Sequence, residues 1–301
     1  MDRFDSIRNR LWALLAFTRI PGNAFSFWIR QTLHWSRGRP SLPQESKTGL
    51  FDYLEEEAEP ANAREADLSS RYDLRPLAKA STAALYRKNL YLLDTLEKAT
   101  EGLPMPVATE GGIKALDVGS QDWHYVFGLE RWLRFLNRPE DQGHGQAQDP
   151  GRRVDLTGLE LDGYGIYADF HSRRDYARAY AAQTANPEVR YEIGDFLKSR
   201  GGGYDIITIF YPFVTRYQLL LWGLPLRFYS PRNFLAKAAE QNRPGGWLVV
   251  FCHTRREHEL FLELGRATAA YSLLREGQVV SNLVDFHEAV ADRRFSIWVK
   301  K

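Results

Sequence analysis

From residue 113 onward, short runs rich in β-branched and aromatic residues alternate with segments of helical periodicity, and this alternation restricts the chain more than any other feature. Ile113 to Val118, Val154 to Glu160, Val189 to Ile193, Asp205 to Phe210 and Trp247 to Cys252 read as strands. Trp123 to Leu136, Tyr167 to Thr184, Pro231 to Gln241 and Glu257 to Ala267 read as helices. The run from Asp205 to Phe210 is the continuous apolar kind that parallel sheets bury on both faces. Strand–helix–strand units cross over right-handed and yield a mostly parallel sheet covered by helices. The last two strands, near Ser272 to Val280 and Arg294 to Val299, have no helical pattern between them, so the sheet is expected to close with an antiparallel hairpin. Asn137 to Arg153, rich in Gly, Gln, Asp and Pro, reads as a polar loop.

Before residue 110 the patterns are helical, which divides the chain into a helical extension, 1–110, and an alternating domain, 111–301. Phe4, Ile7, Leu11, Leu14 and Leu15 recur at helical spacing, and Pro21-Gly22-Asn23 is expected to break that helix. An aromatic-rich segment follows, from Phe25 to Trp35. Glu45 to Asp67 reads as an acidic, partly exposed connector, and Leu77 to Ala99 as a helix with Leu85, Leu90, Leu93 and Leu96 inward. Residues 1–40 hold seven Arg and two Asp, a net +5, whereas 41–68 hold two basic and eight acidic residues, a net −6. Two roles stay open for residues 1–40. They can pack over the ligand edge of the sheet as a lid or docking segment, or lie at a membrane surface. The acidic stretch that follows favours the first role, because anionic lipid would repel it.

Charge and cysteine usage narrow the rest. Forty basic against thirty-eight acidic side chains leave a formal +2, so broad nucleic-acid binding is not expected. A single cysteine, Cys252, excludes an internal disulfide. Leu11 to Phe17 is too short to cross a bilayer, and Asp2, Asp5 and Arg19 argue against a secretory signal, which makes a cytoplasmic location the expectation. No metal-ligand set, nucleophile elbow or Walker loop is present, so no metal site is expected.

The turns that follow the strands carry the chemistry. The first strand runs into Asp117-Val118-Gly119-Ser120-Gln121, and glycine after a strand lets backbone approach a ligand closely. The second ends at Glu160, with Asp162 as a reserve; a carboxylate there can accept from both hydroxyls of a ribose. Gly194-Asp195-Phe196 follows the third strand, Tyr204-Asp205 opens the fourth, and Arg243-Pro244-Gly245-Gly246 precedes the fifth as a turn. In this order and spacing the segment from 113 to 301 resembles the class I S-adenosylmethionine-dependent methyltransferases. The resemblance implies an α/β fold, a Rossmann-like doubly wound sheet, mostly parallel with an antiparallel last strand, here preceded by a helical N-terminal extension. It implies S-adenosylmethionine as cofactor, with Asp117 orienting its amino group and Gly119, Ser120 and Gln121 along its methionine arm. Glu160 would take the ribose, Asp195 the adenine amino group and Phe196 the adenine face, with Leu161 and Phe210 also bordering the ligand.

Two departures bear on function. The family's first turn is commonly Gly-x-Gly-x-Gly, and here Gln121 and Trp123 stand at the later glycine positions. Either binding persists with Gln121 at the ligand, or the site is degenerate and the fold serves as a scaffold. Phe210-Tyr211-Pro212-Phe213 resembles the Asn-Pro-Pro-aromatic motif of amino-group methyltransferases but lacks its polar first residue, which argues against adenine, cytosine or glutamine nitrogen as acceptor. Tyr211 and His253 are the candidate groups on the acceptor side; aromatic packing and a hydrogen-bonded structural histidine are their plainer roles. His124 is a further candidate of the same kind. The acceptor is unidentified; the aromatic N-terminal segment favours a small molecule or lipid, with protein or RNA open. A nicotinamide-dependent oxidoreductase would need Gly-x-Gly-x-x-Gly, and Gly119-x-Gln121-x-x-His124 fails at two of three positions.

Overall fold

The computed structural model describes residues 2–104, 106, 112–137, 153–283 and 292–301, with side chains from Thr18 onward. Most of the polar loop expected over 137–153 lies outside the described residues. The β-branched runs form β1 (Ile113–Val118), β2 (Val154–Glu160), β3 (Val189–Ile193), β4 (Tyr204–Phe210), β5 (Asn242–Cys252), β6 (Tyr271–Gln278) and β7 (Arg294–Lys300). They make one sheet in the order β3-β2-β1-β4-β5-β7-β6. The first five are parallel, and β7 runs antiparallel to both β5 and β6, so the expected terminal hairpin is present. The strand order reverses between β1 and β4, and the fold is a Rossmann-like doubly wound sheet with an antiparallel last strand.

The helices are α1 (Asp2–Leu33), α2 (Ala58–Arg71), α3 (Arg75–Lys79), α4 (Ala83–Thr100), α5 (Val126–Leu136), α6 (Arg173–Gln183), α7 (Arg216–Leu221), α8 (Pro231–Gln241) and α9 (Arg255–Ala267). Alternate strand residues face opposite ways, as strand geometry requires. Ala115, Leu156, Ile206 and Val249 join one core with α4 and α5, while Leu116, Ile207, Leu248 and Val250 join a second with α8 and α9. Among the described residues no helix is long and apolar enough to cross a membrane.

Several boundaries differ from the sequence reading, each for a tertiary reason. Pro21-Gly22-Asn23 does not end the first helix: α1 continues through Pro21 to Leu33. Asn residues break helices when their side chains bond to nearby backbone, but Asn23 Nδ2 donates instead to the Leu220 and Leu224 carbonyls at 2.9 and 3.3 Å. The acidic connector is largely helical, because Ala61 and Leu68 are buried and Arg64 pairs with Asp94 and Glu97 across to α4. The helix expected over Leu77 to Ala99 is two, with Thr82 capping α4 through a 3.1 Å bond from the Leu85 amide. The Pro244-Gly245-Gly246 segment lies inside β5 at a register shift against Tyr204 and Ile206, a bulge that lengthens the strand backward to Asn242.

The division near residue 110 is not a division of the core. Phe51, Leu68, Leu74, Leu77, Leu90 and Leu93 are buried in the same cluster as Trp132, Leu156 and Ile206, so the segment from Leu50 to Thr100 covers one face of the sheet. Leu93→Ala, at a fully buried position, should therefore destabilise the whole chain by about 2–5 kcal/mol in a single urea transition. Two separate transitions, only one of them shifted, would contradict the shared core.

Candidate functional site

At the carboxyl ends of the parallel strands, beside the β1–β4 reversal, lies a cavity of about 460 Å³, within the usual range for small-molecule sites. It is walled by the turn after β1, the residues ending β2 to β5, one face of α4 and the segment around α7 and α8.

The turn after β1 keeps a left-handed backbone at three alternate positions: Gly119 (φ 80°), Gln121 (φ 54°) and Trp123 (φ 58°). The second and third are the positions at which the sequence departs from the glycine pattern, so the conformation persists there without glycine. Each non-glycine residue there costs about 1–2 kcal/mol, and specific contacts offset it. Trp123 is fully buried beneath the turn, and its indole Nε1 donates to Asp117 Oδ2 at 2.9 Å. The ring lies on Gly158 of β2, where a Cβ would come within 2.6 Å of it. Its bulk therefore points away from the cavity. Gln121 does line the cavity; its amide donates to Glu160 Oε2 at 2.8 Å and its carbonyl accepts from the Tyr191 hydroxyl at 2.5 Å.

Asp117 is placed differently from its expected role. It is fully buried and is not part of the cavity wall. Its carboxylate accepts from Trp123, from the Tyr125 hydroxyl at 2.8 Å and from the Thr208 hydroxyl at 2.6 Å. Burial pushes its pKa up to about 6, against the three hydrogen bonds that favour the charged form. Direct contact with a ligand is not what this geometry offers; Asp117 organises the turn from below. Ser120 is likewise buried and off the wall, whereas Gly119 lies on it.

Glu160 and Asp162 separate cleanly. Glu160 lines the cavity; Oε1 accepts from the Asp162 amide and Oε2 from the Gln121 amide, both at 2.8 Å. A carboxylate has about four acceptor sites, which leaves capacity toward the cavity. Burial raises its pKa, only partly countered by the Arg173 guanidinium 3.9 Å away. Asp162 is held by a two-pronged ion pair with Arg30 of α1, at 2.9 and 3.0 Å. Beyond β3, Asp195 uses Oδ1 to accept from the Leu197 amide at 3.0 Å and lines the cavity next to Phe196, whose ring packs 4.9 Å from Phe234. Leu161 and Phe210 also line it.

The other end of the cavity is aromatic and cationic. Tyr211, with a left-handed backbone (φ 64°), stacks on His253 at 3.7 Å between ring centroids and 11° between planes. The Arg293 guanidinium lies over Tyr211 and Tyr91, 5.3 and 5.7 Å from their centroids. His124 borders the same region, but its Nδ1 is bonded to Asp122 at 2.8 Å. Burial would raise the Asp122 pKa, yet the His124 ring and the Tyr167 hydroxyl outweigh it and hold the group at about 2. Sequence reasoning missed Lys88, Tyr91, Leu92 and Thr95 of α4, which line this end. Their i, i+3, i+4, i+7 spacing places them on one helix face, but nothing local says that this face meets a cavity. Among the described residues no cluster suited to a metal ion occurs.

No protein-family model and no curated protein matches the sequence. Solved structures with a similar fold include a methyltransferase named as S-adenosylmethionine-dependent from Aquifex aeolicus, at 13% identity over 71% of this chain and 93% of that one, TM-score 0.46. The N-methyltransferase NodS of Bradyrhizobium japonicum, in complex with S-adenosylhomocysteine, matches at 12% identity over 72% of this chain and 87% of that one, TM-score 0.42. TrmN of Thermus thermophilus matches at 15% identity over 71% of this chain, which spans 49% of that one, TM-score 0.43. At these identities no residue role is transferred from them, and the fold assignment rests on the strand order itself.

Two outcomes test the turn. In Asp117→Asn the amide oxygen can still accept from Trp123 and Tyr125 while the amide nitrogen donates to Thr208, so the fold should persist. The fold raises the Asp117 pKa from 3.8 to about 6. The folded state thus holds that proton more tightly, and wild-type stability should fall as pH rises through this window. Measured by urea midpoints, wild type should lose roughly 1 kcal/mol per pH unit relative to Asp117→Asn between those values, and nothing further above them. Gly158→Ala, which drives a Cβ into the Trp123 ring, should cost about 1–3 kcal/mol; a neutral effect would mean the indole is not fixed there.

Proposed function

We propose that the protein is a methyltransferase that uses S-adenosylmethionine, bound along the carboxyl ends of β1, β2 and β3. The observation that carries this reading is the pair of cavity-facing carboxylates at successive strand ends, Glu160 and Asp195, above the buried Asp117. Two carboxylates against one guanidinium, that of Arg173, leave this end of the cavity net anionic, which suits a cationic ligand. Glu160 has acceptor capacity for two ribose hydroxyls, Asp195 for an exocyclic amine, and Phe196 and Leu161 supply apolar cover. The same geometry argues against a dinucleotide. The Gln121 amide at the head of the turn, the kind of donor a pyrophosphate needs, already donates to Glu160.

When bound, the ligand's sulfonium supplies an activated methyl group. The chain's own part is to hold it and to align an acceptor. Leftover acceptor capacity on Glu160 and Asp195 fixes the adenosine end. Gly119 and Gln121 keep the turn close to the ligand's other arm. The acceptor is assigned to the far end, against the Tyr211–His253 stack, where His253 can take a proton from an oxygen or weakly nucleophilic nitrogen. A planar acceptor, of small-molecule or lipid-headgroup size, fits these aromatic walls.

Calorimetric titration tests the reading. S-adenosylhomocysteine should bind and NAD should not; binding of NAD alone, or of neither, would overturn it, the latter in favour of a scaffold. Glu160→Ala should weaken adenosyl-ligand binding at least tenfold, the scale of one or two hydrogen bonds to a charged group. Because burial raises the Glu160 pKa, affinity should decline on acidification at a pH above the usual carboxylate range. His253→Ala should leave this affinity within about twofold, since RT ln 2 is below 0.5 kcal/mol; a large loss would place His253 at the adenosyl ligand instead.

A further inference from the structure

The N-terminal helix brings together features that the cavity does not use. Seven of the nine large hydrophobic side chains exposed among the described residues lie on α1, the residues just after it, or the elements these touch. Phe25 and Trp28 of α1 are 61% and 59% exposed and stack on each other with centroids 6.1 Å apart. Leu33 is 67% exposed, and Trp35 donates through its indole to the carbonyl of Phe170, itself 65% exposed. On the other side α1 packs against α7, which adds exposed Leu221 and Tyr217.

The charge of α1, the residues after it and α7 is one-sided, and the acid beside Phe170, Asp169, is bonded to His171 and Tyr176. Residues 18–40 hold four arginines and 213–232 hold three, and neither span contains Asp, Glu or Lys. In a chain with 40 basic and 38 acidic residues, two mutually packed spans without an acid form a local cationic field. Arg30 is tied to Asp162 and holds the helix in place, while Arg39, Arg216 and Arg227 are exposed. The acidic segment that would repel an anionic surface packs elsewhere: α2 contacts α4 and the turn before it, and not α1 to any comparable extent.

We infer that α1, with Trp35, Phe170 and α7, forms an interfacial surface that docks the protein on an anionic lipid membrane. Exposed Phe, Trp and Leu enter the headgroup boundary while arginines meet lipid phosphates, the arrangement by which amphipathic helices bind without crossing. A single-stranded nucleic acid would also meet arginines and aromatic rings, but it gives no reason for the exposed leucines Leu33 and Leu221. The inference does not depend on the adenosyl ligand.

The test is co-sedimentation of the full chain with phosphatidylcholine vesicles and with vesicles in which part of that lipid is replaced by phosphatidylglycerol. Binding is expected to the second and to weaken at high salt. The double variant Phe25→Ala, Trp28→Ala should bind them at least tenfold less, the scale of withdrawing two large apolar side chains. Arg39→Glu with Arg216→Glu should lose the preference for phosphatidylglycerol, and both variants should keep wild-type urea midpoints. No vesicle binding by wild type, or undiminished binding by the Phe25/Trp28 variant, would overturn the inference. So would wild-type binding to poly(U), or concentration-dependent self-association, that the same variant abolishes while vesicles are not bound.

Discussion

The part of the cavity wall formed by Gly119, Gln121 and Glu160 depends on a turn whose shape is fixed from beneath by one buried carboxylate. Asp117 accepts from Trp123, Tyr125 and Thr208, and so ties the end of β1 to the start of α5 and to the neighbouring β4. With the indole locked on Gly158, Gln121 is held where its amide meets Glu160. The turn reaches, with tryptophan and glutamine, a backbone that glycine would adopt more readily, and the contacts around it offset the conformational cost. The penalty for burying a charge falls on Asp117, whose pKa rises to about 6.

The second dependence runs through the N-terminal half. Residues from Leu50 to Thr100 supply one face of the core and, through α4, part of the cavity wall. α1 reaches the ligand edge from outside, where Arg30 neutralises Asp162 and leaves Glu160 as the carboxylate that faces the cavity. A segment that carries no sequence resemblance to the family thus decides which of two adjacent acids is available.

Much of the fold was legible in the sequence. β1, β2 and β3 begin and end where their sequence patterns do, because β1 and β2 are buried along almost their whole length and the edge strand β3 alternates buried and exposed residues. Helix starts were less legible: α5 and α6 begin several residues later than their patterns, since Trp123 to Tyr125 and Tyr167 to Ser172 form turns whose aromatic side chains resemble those of a helix face. Of the candidate site, Gly119, Gln121, Glu160, Leu161, Asp195, Phe196, Phe210, Tyr211 and His253 do line one cavity, while Asp117 and Ser120 do not.

The sequence by itself determined the strand order's raw material: which runs are strands, which turns follow them, and that a carboxylate ends β2. Those are local properties, set by periodicity and by residues whose chemistry is constrained by their neighbours in the chain. Tertiary structure alone decided that Pro21 would sit inside a helix, that the acidic connector would be helical, and that α4 would face the cavity. It also decided that Trp123 would turn beneath the sheet rather than into the ligand space. In each case the deciding partner lies far away in the chain, such as Leu220 for Asn23 and Gly158 for Trp123, and no local pattern encodes the partner.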